Sequence, residues 1–335
     1  MKIFKEISIF IVSISVCICL AEIMARYANP GYRFYQRTYP NEFLSNKQLR
    51  WRINGDLGWV IREKFESHGI NYNINKQGFR DQKDFENCDF TKKRIMILGD
   101  SFVFGVDENE EYTISSLVQH RLNNVYDVFN LGMPAYGIDQ MYLAYKKYAP
   151  IIKPDIVIII FIADDVRRTG ESYSPHVNLE KPSFYIKQGK LFTRTEKDLN
   201  FFDYLSQKSI ILNMLYNAIY RLNLAHNISE KIFSEIIHET RVRKEKLLVI
   251  KYPQIEELRK EKGLKKTVRK KLFGFDDFFK KNSITYLDPT LAMLKLNRDA
   301  YERLFLSNMS GAHPSGEGNK FVTDYMFKNS FLQNK

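Results

Sequence analysis

Ser101 and His313, near opposite ends of the chain, are the residues whose types and settings best suit chemistry. Ser101 follows an apolar run, Ile95-Met96-Ile97-Leu98, and a break at Gly99-Asp100. Four apolar residues without alternation suit a strand covered on both faces. Gly99 permits a tight exit, which delivers Ser101 to the carboxyl end of that strand, where open α/β sheets bind ligands. His313 lies in Gly311-Ala312-His313-Pro314-Ser315-Gly316, a turn-rich stretch ahead of the apolar segment Phe321 to Phe327. A hydroxyl reached by an imidazole becomes a nucleophile toward an acyl carbonyl. Without the histidine, the same segment reads as a strand followed by a serine-capped helix. Asp100 reads as a loop-shaping residue whose carboxylate bonds nearby backbone amides.

The scaffold that must bring the two together is an α/β fold. Strands are expected at Ile95–Leu98, Asp127–Asn130, Ile156–Ile162, Leu247–Tyr252 and Ile284–Leu287. Helices are expected over Thr113–Leu122 and from Gly137 to about Tyr148, the second closed by Pro150 and Pro154. This βα rhythm predicts three α/β/α layers around a central, mostly parallel sheet of flavodoxin-like type. Residues 28–90 are aromatic, polar and turn-rich, and read as an extension packed on the core domain 91–335. Within that domain, 167–242 is longer than a crossover needs and reads as an insertion. Its part Leu199–Ile237 has helical spacing at Leu212, Leu215, Ile219 and Leu222, which suits a lid or substrate-selecting wall beside the site.

Composition narrows the class. With 44% hydrophobic and 14% aromatic residues, the chain can bury a sizeable core. Only Cys88 lies outside the N-terminal apolar segment that holds Cys17 and Cys19, so the body of the chain has no disulfide framework. No Cys/His spacing suits zinc, and no cofactor or metal is expected. Segment 1–27 contains a nearly continuous apolar run from Ile7 to Ile23, preceded by Lys2 and Lys5 and followed by Arg26. It reads as a retained transmembrane signal anchor with the bulk of the chain outside the cytoplasm. The alternative is a cleaved signal peptide, with small residues Cys19 and Ala21 at the cleavage positions. The net charge of +12 is concentrated between Arg241 and Lys271. No nucleic-acid motif accompanies it; a solvated helix face is the plainest reading and attraction to an anionic surface the second.

The segment Gly99-Asp100-Ser101-Phe102 and the later His313-Pro314-Ser315, in this order and separation, resemble an SGNH (GDSL-type) hydrolase over roughly residues 51–330. The resemblance is to bacterial envelope members with an N-terminal membrane segment and the lead-in Asn75-Lys76-Gln77-Gly78-Phe79-Arg80. It implies Ser101 as nucleophile and His313 as base. It also implies an oxyanion hole made of the Ser101 N–H, the N–H of a glycine in the next block, and an asparagine side chain. Here the glycine position falls on Ala135, with Gly132 nearby, and the asparagine position on Asp164. An ionised Asp164 would accept rather than donate; donation requires a proton, which burial or the neighbouring charge of Asp165 would favour. Alternatively both aspartates cap the following segment. The acid that the family carries two or three residues before the histidine is missing, since those positions are Gly311 and Ser310. Asp288, Asp299 and Glu302 lie further upstream.

The function implied is a serine ester hydrolase removing acyl or acetyl groups from an extracytoplasmic glycan or lipid. Acyl transfer to an envelope polysaccharide and a non-catalytic binding or scaffold role are the alternatives.

Overall fold

The computed structural model describes residues 2–28, 51–123, 125–174, 177, 179–193, 209, 211, 222–260, 274–306 and 313–334. The central sheet holds β5 (Lys93–Gly99), β6 (Tyr126–Gly132), β7 (Ile156–Phe161), β12 (Lys246–Lys251) and β13 (Thr285–Leu287). The remaining strands form hairpins: β1 (Trp51–Asn54) with β2 (Gly58–Ile61), β3 (Phe65–Ser67) with β4 (Ile70–Tyr72), β8 (Tyr173–Ser174) with β9 (Leu179–Glu180), and β10 (Phe184–Lys187) with β11 (Lys190–Thr193). The helices are α1 (Lys2–Ala28), α2 (Ser101–Phe104), α3 (Ile114–Arg121), α4 (Ile138–Ile152), α5 (Ala163–Arg168), α6 (Leu222–Arg243), α7 (Ile255–Lys260), α8 (Asp276–Lys281), α9 (Thr290–Leu294), α10 (Arg298–Glu302) and α11 (Gly316–Asn329).

The sheet order is β13-β12-β7-β5-β6, and every pairing is parallel. Counted along the chain this is the 2-1-3-4-5 order, whose switch point lies between the carboxyl ends of the first and third strands, here β5 and β7. Alternate side chains on each strand enter separate cores. Met96, Leu98, Val157 and Ile159 pack with α4, α6 and the buried rings of the N-terminal extension, while Ile95, Ile97, Ile158 and Ile160 pack with α2, α3, α7 and α11. Burial on both faces explains why these strands read as unbroken apolar runs.

The extension 51–90 contributes Trp59, Phe79 and Phe85, each fully buried, to the first core. It also seals the sheet edge, because Asp81 Oδ2 accepts from the Asn130 amide of edge strand β6 at 2.9 Å.

One expectation needs revision. The stretch 222–243 is a core helix, α6, whose Ile228, Ile232, Phe233 and Ile236 cover the sheet between β7 and β12. Its burial makes it a crossover helix rather than part of a surface insertion. Residues 199–208, 210 and 212–221 of the expected helical insertion, and the basic run 261–271, lie outside the described residues. The expected anchor segment is helical throughout, as α1; among the described residues no helix is long and apolar enough to cross a membrane. The side chains at 7–9 and 11, within the expected apolar span, are outside the description.

Candidate active site

The switch point gathers the loops that follow β5, β6 and β7. After β5 the chain turns at Asp100, whose Oδ1 accepts from the Phe102 amide at 2.9 Å and caps α2. Ser101 is therefore the first residue of α2, and is 9% exposed. Its hydroxyl donates to Asp100 Oδ2 at 3.3 Å. The lead-in motif holds the other end of α2. The side chain of Asn75 accepts from the Phe79 amide at 2.9 Å, and Gly78 sits at φ +90°. This turn aims Arg80 at the carbonyl end of α2 and the loop after it: its guanidinium donates to Phe104 O at 3.3 Å, to Gly105 O, and to Glu108 O at 2.9 Å. A cation on orphan helix carbonyls both satisfies them and complements the helix dipole.

His313 is brought against this helix. Its carbonyl accepts from the Leu306 amide at 2.8 Å, and its ring meets the Phe102 ring edge-on with centroids 5.9 Å apart. The imidazole is mostly buried, at 18% exposure. Burial lowers its pKa below the usual 6.5, and nearby Arg168 adds to this; Asp100 and Asp107 oppose the shift without reversing it. A neutral imidazole at neutral pH is the form that accepts a proton. Its Nδ1 is buried without a hydrogen bond, 3.9 Å from Asp107 Oδ2. With Nδ1 turned toward Asp107, Nε2 is the nitrogen left for a hydroxyl. His313 makes no hydrogen bond to Ser101 among the described residues, and the serine proton rests on Asp100.

The groups expected to form an oxyanion hole separate cleanly. The N–H of Ser101 and that of Ala135 have no hydrogen-bond partner among the described residues. Ala135 is at φ +66°, the left-handed region where glycine is the unstrained choice. The alanine thus keeps the backbone a glycine would adopt. Gly132 is corrected from this role. Its N–H is taken by Asn130 Oδ1 at 2.9 Å, and a Cβ there would stand 2.6 Å from the Val103 carbonyl carbon. Gly132 lets β6 approach α2; it does not point a donor into the site.

Asp164 is also corrected as a donor. It lies with Asp165 in the first turn of α5, not on a strand. Burial pushes its carboxyl pKa upward, but Arg167, Arg168 and a 3.4 Å bond from Gln254 outweigh this, leaving the pKa lowered. It is an ionised acceptor. Asp165 does cap its helix, accepting from the Ile162 amide at 2.9 Å.

The residue that sequence reasoning missed here is Arg168. Its Nη1 lies 2.7 Å from Asp165 Oδ1, 3.2 Å from Asp100 Oδ2 and 3.4 Å from Tyr136 O. One buried guanidinium thus ties the Ser101 loop, the Ala135 turn and α5 together. Burial and the charge of Asp100 push Asp165 upward, while the same acids hold Arg168 protonated despite its own burial. The i, i+3 and i, i+4 spacing of Asp165 and Asp164 to Arg168 was the available signal, once a helix is placed there.

The extension buttresses the Ala135 turn. Trp59 Nε1 donates to Pro134 O at 3.1 Å, and the Tyr136 hydroxyl donates to Trp59 O at 2.7 Å. Of the upstream acids, Asp288 accepts from the Thr290 amide at 2.9 Å, Glu302 pairs with Arg259 at 2.6 Å, and Asp299 lies in the first turn of α10. None is paired with His313. Gly311 and Ser310 lie outside the described residues. Among those residues no cluster of His, Cys, Asp and Glu is arranged to hold a metal.

No protein-family model matches the chain, and no curated protein matches it. Solved structures do. A lipase/acylhydrolase from Enterococcus faecalis is 18% identical, covering 69% of this chain and 92% of its own, with a TM-score of 0.42. A lipolytic G-D-S-L family protein from Veillonella parvula DSM 2008 is 14% identical over 72% and 98% of the two chains, with a TM-score of 0.43. The acetyl xylan esterase AlAXEase is 15% identical over 70% and 98%, also with a TM-score of 0.43. These neighbours are ester-cleaving or lipolytic proteins by name. At such scores the likeness carries no argument about activity, which must rest on the side chains.

Proposed function

We propose that this protein is a serine ester hydrolase, with Ser101 as nucleophile and His313 as general base. The observation that carries the reading is a buried imidazole, its pKa held down by that burial, packed on the helix that begins with Ser101, beside two unengaged backbone N–H groups. In the reaction, Ser101 Oγ attacks the acyl carbon while its proton passes to His313 Nε2. The N–H groups of Ser101 and Ala135 bind the oxyanion. The tetrahedral adduct collapses, the ester C–O bond breaks, and the imidazolium gives its proton to the leaving alcohol. Water then attacks acyl-Ser101, its proton taken by His313; the bond from Ser101 Oγ to the acyl carbon breaks, the imidazolium returns its proton to Oγ, and the acid departs. A sugar hydroxyl in place of that water would give acyl transfer.

The substrate is proposed to be an acylated glycan or lipid met outside the cytoplasm, with α1 as a membrane anchor. Support comes from the apolar side chains exposed along α1, among them Phe10, Val12, Val16, Ile18 and Leu20, each more than half exposed. An ionised Asp164 beside the site supports the second reading, a binding protein without turnover.

The full-length chain, incubated with a fluorophosphonate probe and p-nitrophenyl acetate, tests the choice. Probe labelling and ester turnover that both disappear in Ser101→Ala are expected. A parent protein that takes up no label and releases no nitrophenol refutes the enzyme and leaves the binding reading.

A further inference from the structure

We propose that Asp107, six residues after the nucleophile in the chain, is the acid that orients His313, in place of the acid absent before the histidine. The inference rests on the Ser101–His313 reading above. Three observations carry it. The buried Nδ1 of His313 has no hydrogen-bond partner, and the carboxylate oxygen Oδ2 of Asp107 stands 3.9 Å from it. A buried donor left unpaired is unfavourable, and a closure of about 1 Å would make the bond, as apo sites commonly tighten on binding substrate. Second, Asp107 is held in an unusual position. Its backbone is at φ +61° and its N–H donates to the Tyr72 hydroxyl at 2.8 Å. Third, its other oxygen, Oδ1, lies 3.4 Å from Nδ1 of His68, at the tip of the β3–β4 hairpin.

The carboxylate therefore stands between two imidazoles, one exposed and one in the site. The extension 51–90 supplies both the hydroxyl and the ring that fix it. Asp107 acts through His313: it selects the tautomer with the proton on Nδ1, leaves Nε2 free to take the Ser101 proton, and stabilises the imidazolium that results. Asp100 and Arg168 are the other charged groups whose fields reach His313. Around Asp107 the titratable groups are His68, His313 and Tyr72, with Arg80 and Glu108 close to Tyr72.

The test is the pH dependence of kcat and kcat/KM for p-nitrophenyl acetate in the full chain and in Asp107→Asn. Asparagine tolerates the left-handed backbone as aspartate does, and Asp107 makes its bond to Tyr72 through its own amide. We expect kcat to fall roughly 100-fold or more, with KM within about threefold. The acid limb should move to lower pH, because an anion that favours the imidazolium has been removed. A wild-type kcat with an unmoved acid limb, in a protein where Ser101→Ala abolishes turnover, overturns the assignment of Asp107 alone. A lower kcat with an unmoved limb also overturns it, since that marks a structural role. Turnover that survives Ser101→Ala overturns the underlying enzyme reading instead. A measurement on the parent protein guards against a variant that does not fold. Below the histidine pKa, a strongly downfield Nδ1 proton resonance, absent in His313→Ala, is expected; its absence from the parent spectrum counts against the bond.

Discussion

Replacing Gly132 by alanine tests whether the close approach of β6 to α2 positions Ser101, the proposed nucleophile. The added Cβ would stand 2.6 Å from the Val103 carbonyl carbon and 2.8 Å from Val103 Cβ, with the Phe104 amide also in contact. Ordinary contact begins near 3.4 Å, so α2 must move by about 1 Å. Two of the three obstructing atoms belong to backbone, and no side-chain rotation relieves them. Overpacking a filled core typically costs 1–3 kcal/mol, and a backbone obstruction places this substitution at about 3 kcal/mol. Because Ser101 is the first residue of the displaced helix, a shift of that size should also reduce kcat/KM about 100-fold. Urea denaturation measures the first effect and p-nitrophenyl acetate hydrolysis the second. Gly55→Ala is the control, since nothing lies within 4 Å of its Cβ position. A Gly132→Ala protein with parental stability and turnover would refute the packing argument and the role given to α2.

Ala135→Gly should keep activity and stay within about 1 kcal/mol of the parent, whereas Ala135→Val should cost about 2 kcal/mol or more, because a β-branched residue resists the +66° backbone; thermal unfolding separates them. Arg168→Met leaves Asp100 and Asp165 buried without their shared cation and should cost about 3–5 kcal/mol, read as a lowered midpoint in urea. Burial raises the Asp81 carboxyl to about 6, above its ordinary value near 4. The folded state therefore binds this proton more tightly than the unfolded chain. That contribution is full below about pH 4 and is lost as pH rises through 6, by at most about 3 kcal/mol. Asp81→Asn should flatten that part of the stability profile, and an unchanged slope would contradict it.

The strands were legible because their burial on both faces leaves little choice of residue type: Ile95–Leu98 and Ile156–Ile162 fall within a residue or two of β5 and β7. Ser101 and His313 stood out because each sits in a local pattern that a strand end or turn imposes, whereas the glycine-like position at Ala135 came from the resemblance and is matched by its backbone at φ +66°. Asp164 was harder. Its residue type was plain, but whether it is protonated depends on Arg167, Arg168 and Gln254, and Gln254 lies 90 residues away in the chain.

By itself, then, the sequence determined which residues form the parallel core and singled out Ser101 and His313 as the pair proposed for nucleophile and base, since periodicity and turn chemistry are local. Tertiary structure alone decided who neighbours whom in the site. Arg168 could be linked to Asp100, and Asp107 to both His68 and His313, only after five strands had been ordered and the N-terminal hairpins laid over α2. The reason is physical: hydrogen bonds and charge pairs act over a few ångströms of space, and sequence spacing fixes that distance only within a single helix, strand or turn.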